Sequence, residues 1–239
     1  MQAENNDIQN KFQAIIVCKD YSDFLRVTLP NTKQIFDKVI VVTDPKDTET
    51  IRVCIDNDVL FILSDKLEET KTISGGINEA LKYVSKNDWV VNLDADIWLP
   101  LHTKKILKSL ALDKKCIYGI DRLMCNSYED WEKFNNQELL LNQFLLGDRN
   151  IMNNEYHPTG YFQLWNPIGS GIESYSSPQN LNTENINYDH ADTLHARKFD
   201  KSNRKLIPEI LCLHLASEPN VGKNWKGRKT KRFAMEAII

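Results

Sequence analysis

The sequence lacks any apolar stretch long enough to cross a membrane as a helix. Such a helix needs about 20 mostly apolar residues, and polar or charged side chains interrupt each apolar run well before that length. The N-terminal stretch MQAENNDIQNK is polar throughout and has no apolar core, unlike a signal peptide. We therefore expect a soluble, cytoplasmic protein with no integral membrane segment, and peripheral contact with a membrane stays open.

Glycine is also scarce, with nine residues in 239. None of them lies in VCKDYSDF, the segment that spans the end of the first apolar run and the residues after it. Enzymes that transfer nucleotidyl groups usually carry a glycine-rich loop near the first strand, where backbone N–H groups hold phosphates. The missing glycines argue against that class of enzyme.

Paired cysteine motifs are absent. The five cysteines are odd in number and no two have the CxxC spacing; they are Cys18, Cys54, Cys116, Cys125 and Cys212. A disulfide framework or a zinc site would need closer, paired spacing. The pattern indicates reduced, mostly buried thiols in an intracellular protein.

The chain also lacks an overall positive charge. Its net charge is −3, which argues against a dedicated nucleic-acid binder. The charge is uneven, because residues 223–239 contain six lysines or arginines against Glu236, a net of +5, and the remaining residues carry −8. A basic tail on an acidic body indicates an anionic ligand near the C-terminus.

What the sequence does contain is a regular alternation of apolar strands and helices. The predicted strands are 12–18, 39–43, 59–63, 89–93, 116–120 and 207–215, and the predicted helices are 21–36, 48–57, 73–85 and 101–110. Short, β-branched apolar runs alternating with helices predict an α/β fold with a mostly parallel, doubly wound sheet. Residues 121–200 break the pattern and predict a loop-rich lobe. We expect a flexible leader at 1–10 and one domain at 11–239.

Two carboxylates, Asp94 and Asp96, follow the apolar strand 89–93 in VVNLDADIWLP. Ligands of open α/β sheets bind beyond the carboxyl ends of the strands, and residues i and i+2 of a strand point to one side. Two converging carboxylates repel unless a cation lies between them, and Mg²⁺ or Mn²⁺ prefers oxygen ligands. The alternative is that Asp94 caps a turn and Asp96 is solvated.

Three segments together resemble a GT-A-fold glycosyltransferase of the family 2 type, as found in small bacterial and bacteriophage enzymes. They are AIIVCKDYSDFLRVTLPN, VIVVTDPKDTET and GGINEALKYVSKNDWVVNLDADIWLP, and the C-terminal region adds patches. The resemblance implies a GT-A (Rossmann-like) sheet with residues 11–100 as the nucleotide-sugar half and 101–222 as the acceptor half. It also implies that the residues holding the uridine-type nucleotide include Cys18, Lys19, Asp44, Lys71 and Asp94. Thr43-Asp44 stands where the family usually has two consecutive Asp.

The resemblance further implies a divalent metal, Mn²⁺ or Mg²⁺, held by Asp94, Asp96 and His214. His214 lies in LCLHLASEPN, and a histidine after the last strand is the third protein ligand in many enzymes of this fold. A mixed carboxylate and imidazole site suits Mn²⁺ somewhat better than Mg²⁺. The alternative is a core histidine with its hydrogen bonds satisfied.

The basic tail at 223–239 has three possible interpretations. Lys223, Lys226 and Arg228 could close over the donor diphosphate and offset charge on the leaving group, and Trp225 could stack on a sugar or a base. The same residues could form a solvated tail, or could bind a polyanionic acceptor such as DNA through phosphates and stacking.

The acceptor half offers two carboxylates near the place where similar enzymes carry an acidic motif. If the reaction inverts configuration, a base must take the acceptor proton, and Asp192 is the first candidate and Asp189 the second. The alternative for Asp192 is an N-cap of the helix that follows it.

These observations predict a metal-dependent glycosyltransferase that moves a sugar from a nucleoside-diphosphate sugar, with UDP as the expected nucleotide, to a saccharide hydroxyl. One alternative is transfer to a modified base in DNA, as in phage-type DNA modification. Another is a nucleic-acid-binding module without turnover. The sugar, the stereochemistry and the oligomeric state stay open.

Overall fold

The structure, a computed structural model, describes residues 10–67, 73–125, 127–149, 151–152, 155–158, 160–176 and 191–215. The strands are β1 Phe12–Val17, β2 Lys38–Thr43, β3 Leu60–Leu63, β4 Trp89–Leu93, β5 Ile97–Trp98, β6 Ile117–Met124, β7 Leu145–Leu146, β8 Ile151–Met152, β9 Glu155–Tyr156, β10 Phe162–Trp165 and β11 Arg204–His214. The α-helices are α1 Ser22–Ile35, α2 Thr48–Asp56, α3 Ile73–Ala80, α4 Thr103–Ser109, α5 Tyr128–Asn135, α6 Pro167–Ser170 and α7 Ala191–Arg197.

One large sheet organises the fold, with strand order β3-β2-β1-β4-β10-β6-β11-β5 and with β7 paired to β6. The strands β3, β2, β1 and β4 are parallel. Along β1, Ala14 and Ile16 belong to the apolar cluster on the α1 and α2 side. Ile15 and Val17 belong to the cluster on the α3 side, with Ile77. Because both faces are covered, β1 is buried along its whole length, which explains its near-continuous apolar sequence.

The chain reverses direction in the second half of the sheet. The strand β10 lies between β4 and β6 and is antiparallel to both, and β11 runs parallel to β6. The short β5 pairs antiparallel with the end of β11. The mostly parallel α/β sheet with flanking helices that the sequence predicts is therefore confirmed, and the antiparallel β10 is the part that it did not predict.

Several predicted boundaries were wrong. The helix predicted to extend to 85 ends at Ala80, and residues 81–88 form turns and bends that lead into β4. The strand predicted over 116–120 continues to Met124, and the strand predicted from 207 begins at Arg204. Both strands are longer because β6 and β11 pair with each other over these extra residues.

Two expectations from composition can be checked in the same structure. All five cysteines are free and buried, as predicted. Within the part of the chain that the structure describes, no helix has both the length and the apolarity that crossing a membrane requires.

Candidate functional site

The carboxyl ends of β2, β1 and β4 meet at one edge of the sheet, and predicted site residues follow each of them. Lys19 comes after β1 and Asp44 after β2, and both side chains are buried. Lys19 Nζ lies 3.2 Å from Asp44 Oδ2, while Asp44 Oδ1 accepts a hydrogen bond of 2.8 Å from the Lys46 N–H. The two predicted nucleotide-binding residues thus form a buried ion pair at the strand ends.

The polar turn after β2 is held by Asp47. Its carboxylate accepts hydrogen bonds from the Thr50 N–H and hydroxyl at 3.1 and 2.6 Å, which caps α2. It also accepts the Asp20 N–H at 2.8 Å, so this side chain ties the β1 loop to the β2 loop. Asp20 has a φ of +57°, a backbone conformation that is uncommon outside glycine. The two loops that flank the proposed nucleotide position are therefore fixed to each other.

Cys18, also predicted to line the nucleotide site, is fully buried. Its thiol lies 3.5 Å from the Thr50 hydroxyl, and burial raises the pKa of the Cys18 thiol well above its usual value. The Cys18 side chain therefore lies beneath the predicted nucleotide site, and its thiol is not accessible to a ligand in this conformation.

The Asp94-Ala95-Asp96 turn is anchored through its backbone at three points. The Asp94 N–H donates to the Tyr161 carbonyl at 3.2 Å, and the Leu215 N–H donates to the Asp96 carbonyl at 2.9 Å. The Thr28 hydroxyl of α1 donates to the Ala95 carbonyl at 2.7 Å. Ala95 is buried whereas Asp94 and Asp96 are half-buried, and the convergence of the two carboxylates stays a prediction.

The structure brings Asp96 and His214 together. The His214 Nε2 lies 3.4 Å from Asp96 Oδ2, with both side chains largely buried. The other ring nitrogen, Nδ1, lies 3.4 Å from Nη1 of Arg122. The imidazole also stacks on the Tyr161 ring, with centroids 6.5 Å apart and an interplanar angle of 16°. His214, at the end of β11, thus contacts Arg122 of β6, the Tyr161 ring just before β10 and Asp96 of the turn.

The donor set suits a hard cation only in part. Carboxylate oxygens at the turn suit Mg²⁺ or Mn²⁺, which complete their coordination with water and phosphate oxygens. Within the described ranges, however, no three His, Cys, Asp or Glu side chains lie together as a metal cluster, so Asp94 does not join Asp96 and His214 in a preformed cage. The residues fit a cation held by the carboxylates and by a ligand's own phosphates.

The contact of His214 with Arg122 bears on its predicted role as a metal ligand. A guanidinium can only donate hydrogen bonds, so in this contact Nδ1 accepts and the ring hydrogen is placed on Nε2, toward Asp96. Binding a metal through Nε2 would move that hydrogen to Nδ1, where it would face another donor. Metal ligation by His214 therefore competes with its contact with Arg122.

Asp192, the first candidate for the base, lies in the first turn of α7. Its Oδ2 accepts the Gly160 N–H at 2.8 Å and its Oδ1 accepts the Thr193 N–H at 2.6 Å. The Asn92 amide of β4 donates to the Gly160 carbonyl at 2.9 Å. Tyr161, whose carbonyl accepts the Asp94 N–H, directly follows Gly160. The hydrogen bond between Asp192 and Gly160 therefore stabilises the segment that contacts the Asp94–Asp96 turn. Each carboxylate oxygen keeps a further lone pair, and the base role stays a prediction.

The remaining predicted site residues lie outside the described residues. They are Lys71, Asp189, Lys223, Trp225 and Arg228. Their roles, and the role of the basic tail at 223–239, stay predictions.

Sequence reasoning missed three residues that shape this edge of the sheet, namely Thr28, Asn92 and Arg122. Arg122 falls in a stretch predicted as loop, because Asp121 and Arg122 interrupt the apolar run of β6. The charged pair Asp121-Arg122 lies inside a run of strand-forming residues, IYGIDRLM, and this pattern could have indicated that the strand continues through it. Thr28 and Asn92 lie in predicted elements, and nothing in their local sequence indicates which carbonyl they contact.

No protein-family model matches the chain, and no curated protein sequence matches it. The structure resembles those of nucleotidyl- and glycosyltransferases. With the inositol-1-phosphate CTP transferase from T. maritima the TM-score is 0.52, at 13% identity, over 90% of this chain and 93% of that one. With the mannosyl-3-phosphoglycerate synthase from Rubrobacter xylanophilus the TM-score is 0.38, at 14% identity, over 50% of this chain and 42% of that one.

A third similar structure is the glucosyl-3-phosphoglycerate synthase from Mycobacterium tuberculosis in complex with phosphoglyceric acid. Its TM-score is 0.33 at 11% identity, and the match covers 47% of this chain and 44% of that one. The chain therefore spans less than half the length of the two synthases. At these identities the likeness concerns the fold alone, and the match over nine-tenths of the chain supports a Rossmann-like α/β sheet with flanking helices.

Proposed function

We propose that this chain is a metal-dependent glycosyltransferase that moves a sugar from a nucleoside-diphosphate sugar, a UDP-sugar, to a hydroxyl group of a saccharide. The observation that carries the proposal is the Asp94–Asp96 turn, fixed through its backbone at the carboxyl end of β4. A rigid turn holds its carboxylates in one geometry, which is what binding a charged diphosphate through a cation requires. Lys19 follows β1, next to β4, and Asp44 follows β2, two strands or about 10 Å from β4 across the sheet. We expect their ion pair to lie beside the nucleoside.

In this reaction the acceptor oxygen forms a bond to the anomeric carbon, and the bond from that carbon to the β-phosphate oxygen breaks. The nucleoside diphosphate leaves with the bonding electrons, and positive charge builds on the sugar ring as in other glycosyl transfers. Asp94 and Asp96 would hold a divalent cation, which would supply Lewis acidity toward the leaving diphosphate. If configuration is inverted, the acceptor proton goes to a carboxylate, and Asp192 and Asp189 are the candidates.

Calorimetric titration with UDP tests the proposal directly. We expect UDP binding that requires Mn²⁺ or Mg²⁺ and that weakens by at least about tenfold in Asp96→Asn. The matched control is Asp56→Asn, the same chemical change at an exposed position at the end of α2, which should bind as the wild type does. Absence of binding of UDP and of the other nucleoside diphosphates would refute the donor site.

Nucleotidyl transfer is the second candidate, because the structure matched over nine-tenths of this chain is that of a CTP transferase. The two reactions release different products. A nucleotidyltransferase given a nucleoside triphosphate and a sugar phosphate releases pyrophosphate, whereas a glycosyltransferase given a UDP-sugar and a saccharide releases UDP. Pyrophosphate release that Asp96→Asn abolishes would replace the first proposal by the second.

The acceptor is assigned to the saccharide class as part of the proposal. A modified base in DNA is the alternative, and it depends on the basic residues at 223–239, outside the described residues. An acceptor screen that includes oligosaccharides and duplex DNA separates the two. Salt-sensitive DNA binding without turnover of any donor would instead support a nucleic-acid-binding module.

A further inference from the structure

Arg122 lies at the centre of the contacts around His214. It belongs to β6, next to β11 in the sheet. Its guanidinium carbon is 4.9 Å from the centroid of the Tyr161 ring, and its Nη1 is 3.4 Å from His214 Nδ1. Through His214 it is linked to Asp96. The side chain therefore reaches the same edge of the sheet as the Asp94–Asp96 turn.

The packing of Arg122 holds its side chain in one position. Tyr161 covers one face of the guanidinium, and Gly147 closes over the side chain, since a Cβ at 147 would lie 3.1 and 3.2 Å from Arg122 Cγ and Nε. The Gly147 N–H also donates to the Arg122 carbonyl at 2.8 Å. A cation held this firmly is oriented before any ligand arrives, so little side-chain entropy is lost on binding.

In the described part of the chain, no carboxylate is paired with the charge of Arg122. Among the residues that the structure describes, Arg122 forms no ion pair, and its buried Nε has no hydrogen-bond partner. Two other arginines of the same half do have acidic partners. Arg149 binds Asp121 through two bonds of 2.7 and 2.6 Å, and Arg204 lies 3.6 Å from Glu155.

A half-buried guanidinium with only neutral partners is set up to receive an anion, because charge-assisted hydrogen bonds are stronger than neutral ones. A cation at the Asp94–Asp96 turn would repel Arg122 unless a negatively charged group lay between them. Phosphate oxygens can contact both.

We propose that Arg122 binds a phosphate group of the ligand beside Asp96 and His214. The inference rests on the proposed function for the identity of the ligand but not for the existence of the anion site. The phosphate has two possible sources, the diphosphate of the donor and a phosphate carried by the acceptor. Both call for the same chemistry at Arg122, and binding measurements separate them.

The experiment uses the full chain with Mn²⁺ and measures dissociation constants for UDP, uridine and inorganic phosphate, the last also in the presence of saturating UDP. The variants are Arg122→Gln and Arg122→Lys. The control is Arg52→Gln, the same change at an exposed position of α2. Thermal unfolding is recorded for each protein.

If the phosphate belongs to the donor, Arg122→Gln weakens UDP binding by about tenfold or more while uridine binding is unchanged. If it belongs to the acceptor, UDP binding is unchanged and the binding of inorganic phosphate beside UDP is lost. In both cases Arg122→Lys, which keeps the charge, restores part of the affinity, and Arg52→Gln behaves as the wild type.

Two results would overturn the inference. One is that neither UDP nor inorganic phosphate responds to Arg122→Gln. The other is that uridine and UDP weaken equally in both Arg122 variants together with a lower unfolding temperature, which would make the residue purely structural. Arg122-dependent phosphate binding in a protein that does not bind UDP would keep the anion site and refute the glycosyltransferase proposal instead.

Discussion

His195 should make the protein sensitive to acid. It lies on α7 and is fully buried, stacked on Tyr175 at 4.2 Å and edge-on to Trp165 at 4.7 Å. Among the residues that the structure describes, neither ring nitrogen of His195 has a hydrogen-bond partner. Burial lowers the pKa of His195 from 6.5 to about 3, and the nearby positive charge of Lys198 adds to the effect. The folded protein therefore holds this imidazole neutral.

The sign and size of the effect follow from linkage. In the unfolded chain His195 takes up a proton below pH 6.5, whereas in the folded protein it does so only near pH 3. The stabilising contribution is thus present above pH 6.5 and is lost as the pH falls toward 3, by at most about 1.4 kcal/mol per pH unit. Between pH 7 and pH 5 the free energy of unfolding should fall by about 2 kcal/mol from this group alone.

Urea unfolding between pH 5 and pH 8 measures this contribution when the wild type is compared with His195→Phe. The phenylalanine keeps the aromatic contacts and cannot titrate, so its stability should depend less on pH by about 2 kcal/mol over this range. The comparison is needed because burial also lowers the pKa of His157. His102→Gln, at an exposed position, should keep the wild-type dependence. Identical pH profiles of the wild type and His195→Phe would refute the reasoning.

Three further predictions concern the frame of the site and the thiols. Thr28→Val removes the donor to the Ala95 carbonyl and should lower the free energy of unfolding by about 1–3 kcal/mol and weaken UDP binding; unchanged values in urea unfolding and calorimetry would contradict it. Gly160→Ala places a Cβ 3.0 Å from Cβ of Asp192 and should lower the free energy of unfolding by about 1–3 kcal/mol. Unchanged stability in urea unfolding would contradict this prediction. The five cysteines, all buried, should react with a thiol reagent only after unfolding in urea, and rapid labelling of the native protein would argue against this packing.

The fold of residues 11–100 could be predicted because the apolar runs in this part of the sequence correspond to its buried strands. The strands β1, β2 and β4 are covered on both faces, so almost every side chain in them is apolar and the runs stand out between helices. Even Pro30, which removes one backbone donor, leaves α1 intact from Ser22 to Ile35. Local composition was enough here because β1 and β2 pair only with strands of the same half and β4 pairs with β1 on one side.

The second half could not be predicted in the same way, because its charged residues are paired with distant partners. Asp121 interrupts the apolar run of β6 and binds Arg149, 28 residues further along the chain. Arg122 contacts His214, 92 residues away. A sequence pattern shows the charges and not the partners, so the strand was predicted to stop at 120. The position of β10 between β4 and β6 also depends on pairing with distant strands, so local sequence could not predict it.

The candidate site was predicted where a short motif carries its own geometry and not where the geometry comes from packing. The spacing of Asp94 and Asp96 predicts that they share one side of the turn, and the structure fixes the backbone of that turn at the end of β4. The contact between Asp96 and His214, in contrast, was implied only by the family resemblance and needs β5 to pair with the end of β11. Asp192 was predicted as a base or an N-cap. In the structure it accepts the Gly160 N–H, and the next residue, Tyr161, accepts the Asp94 N–H. No local sequence pattern indicates this link to the Asp94–Asp96 turn.

The fold does not by itself choose between glycosyl and nucleotidyl transfer, because both reactions need a nucleotide and a cation at the same edge of the sheet. They differ in which atom reacts. Nucleotidyl transfer takes place at the α-phosphorus, next to the nucleoside, whereas glycosyl transfer takes place at the anomeric carbon, beyond the β-phosphate. Arg122 on β6 lies two strands from β4, about 10 Å further from the Lys19–Asp44 pair. A phosphate held there would be the outer one, next to the sugar. Under the proposed function, an arginine in that position would stabilise a departing diphosphate, so its effect on UDP binding bears on the reaction as well as on the site.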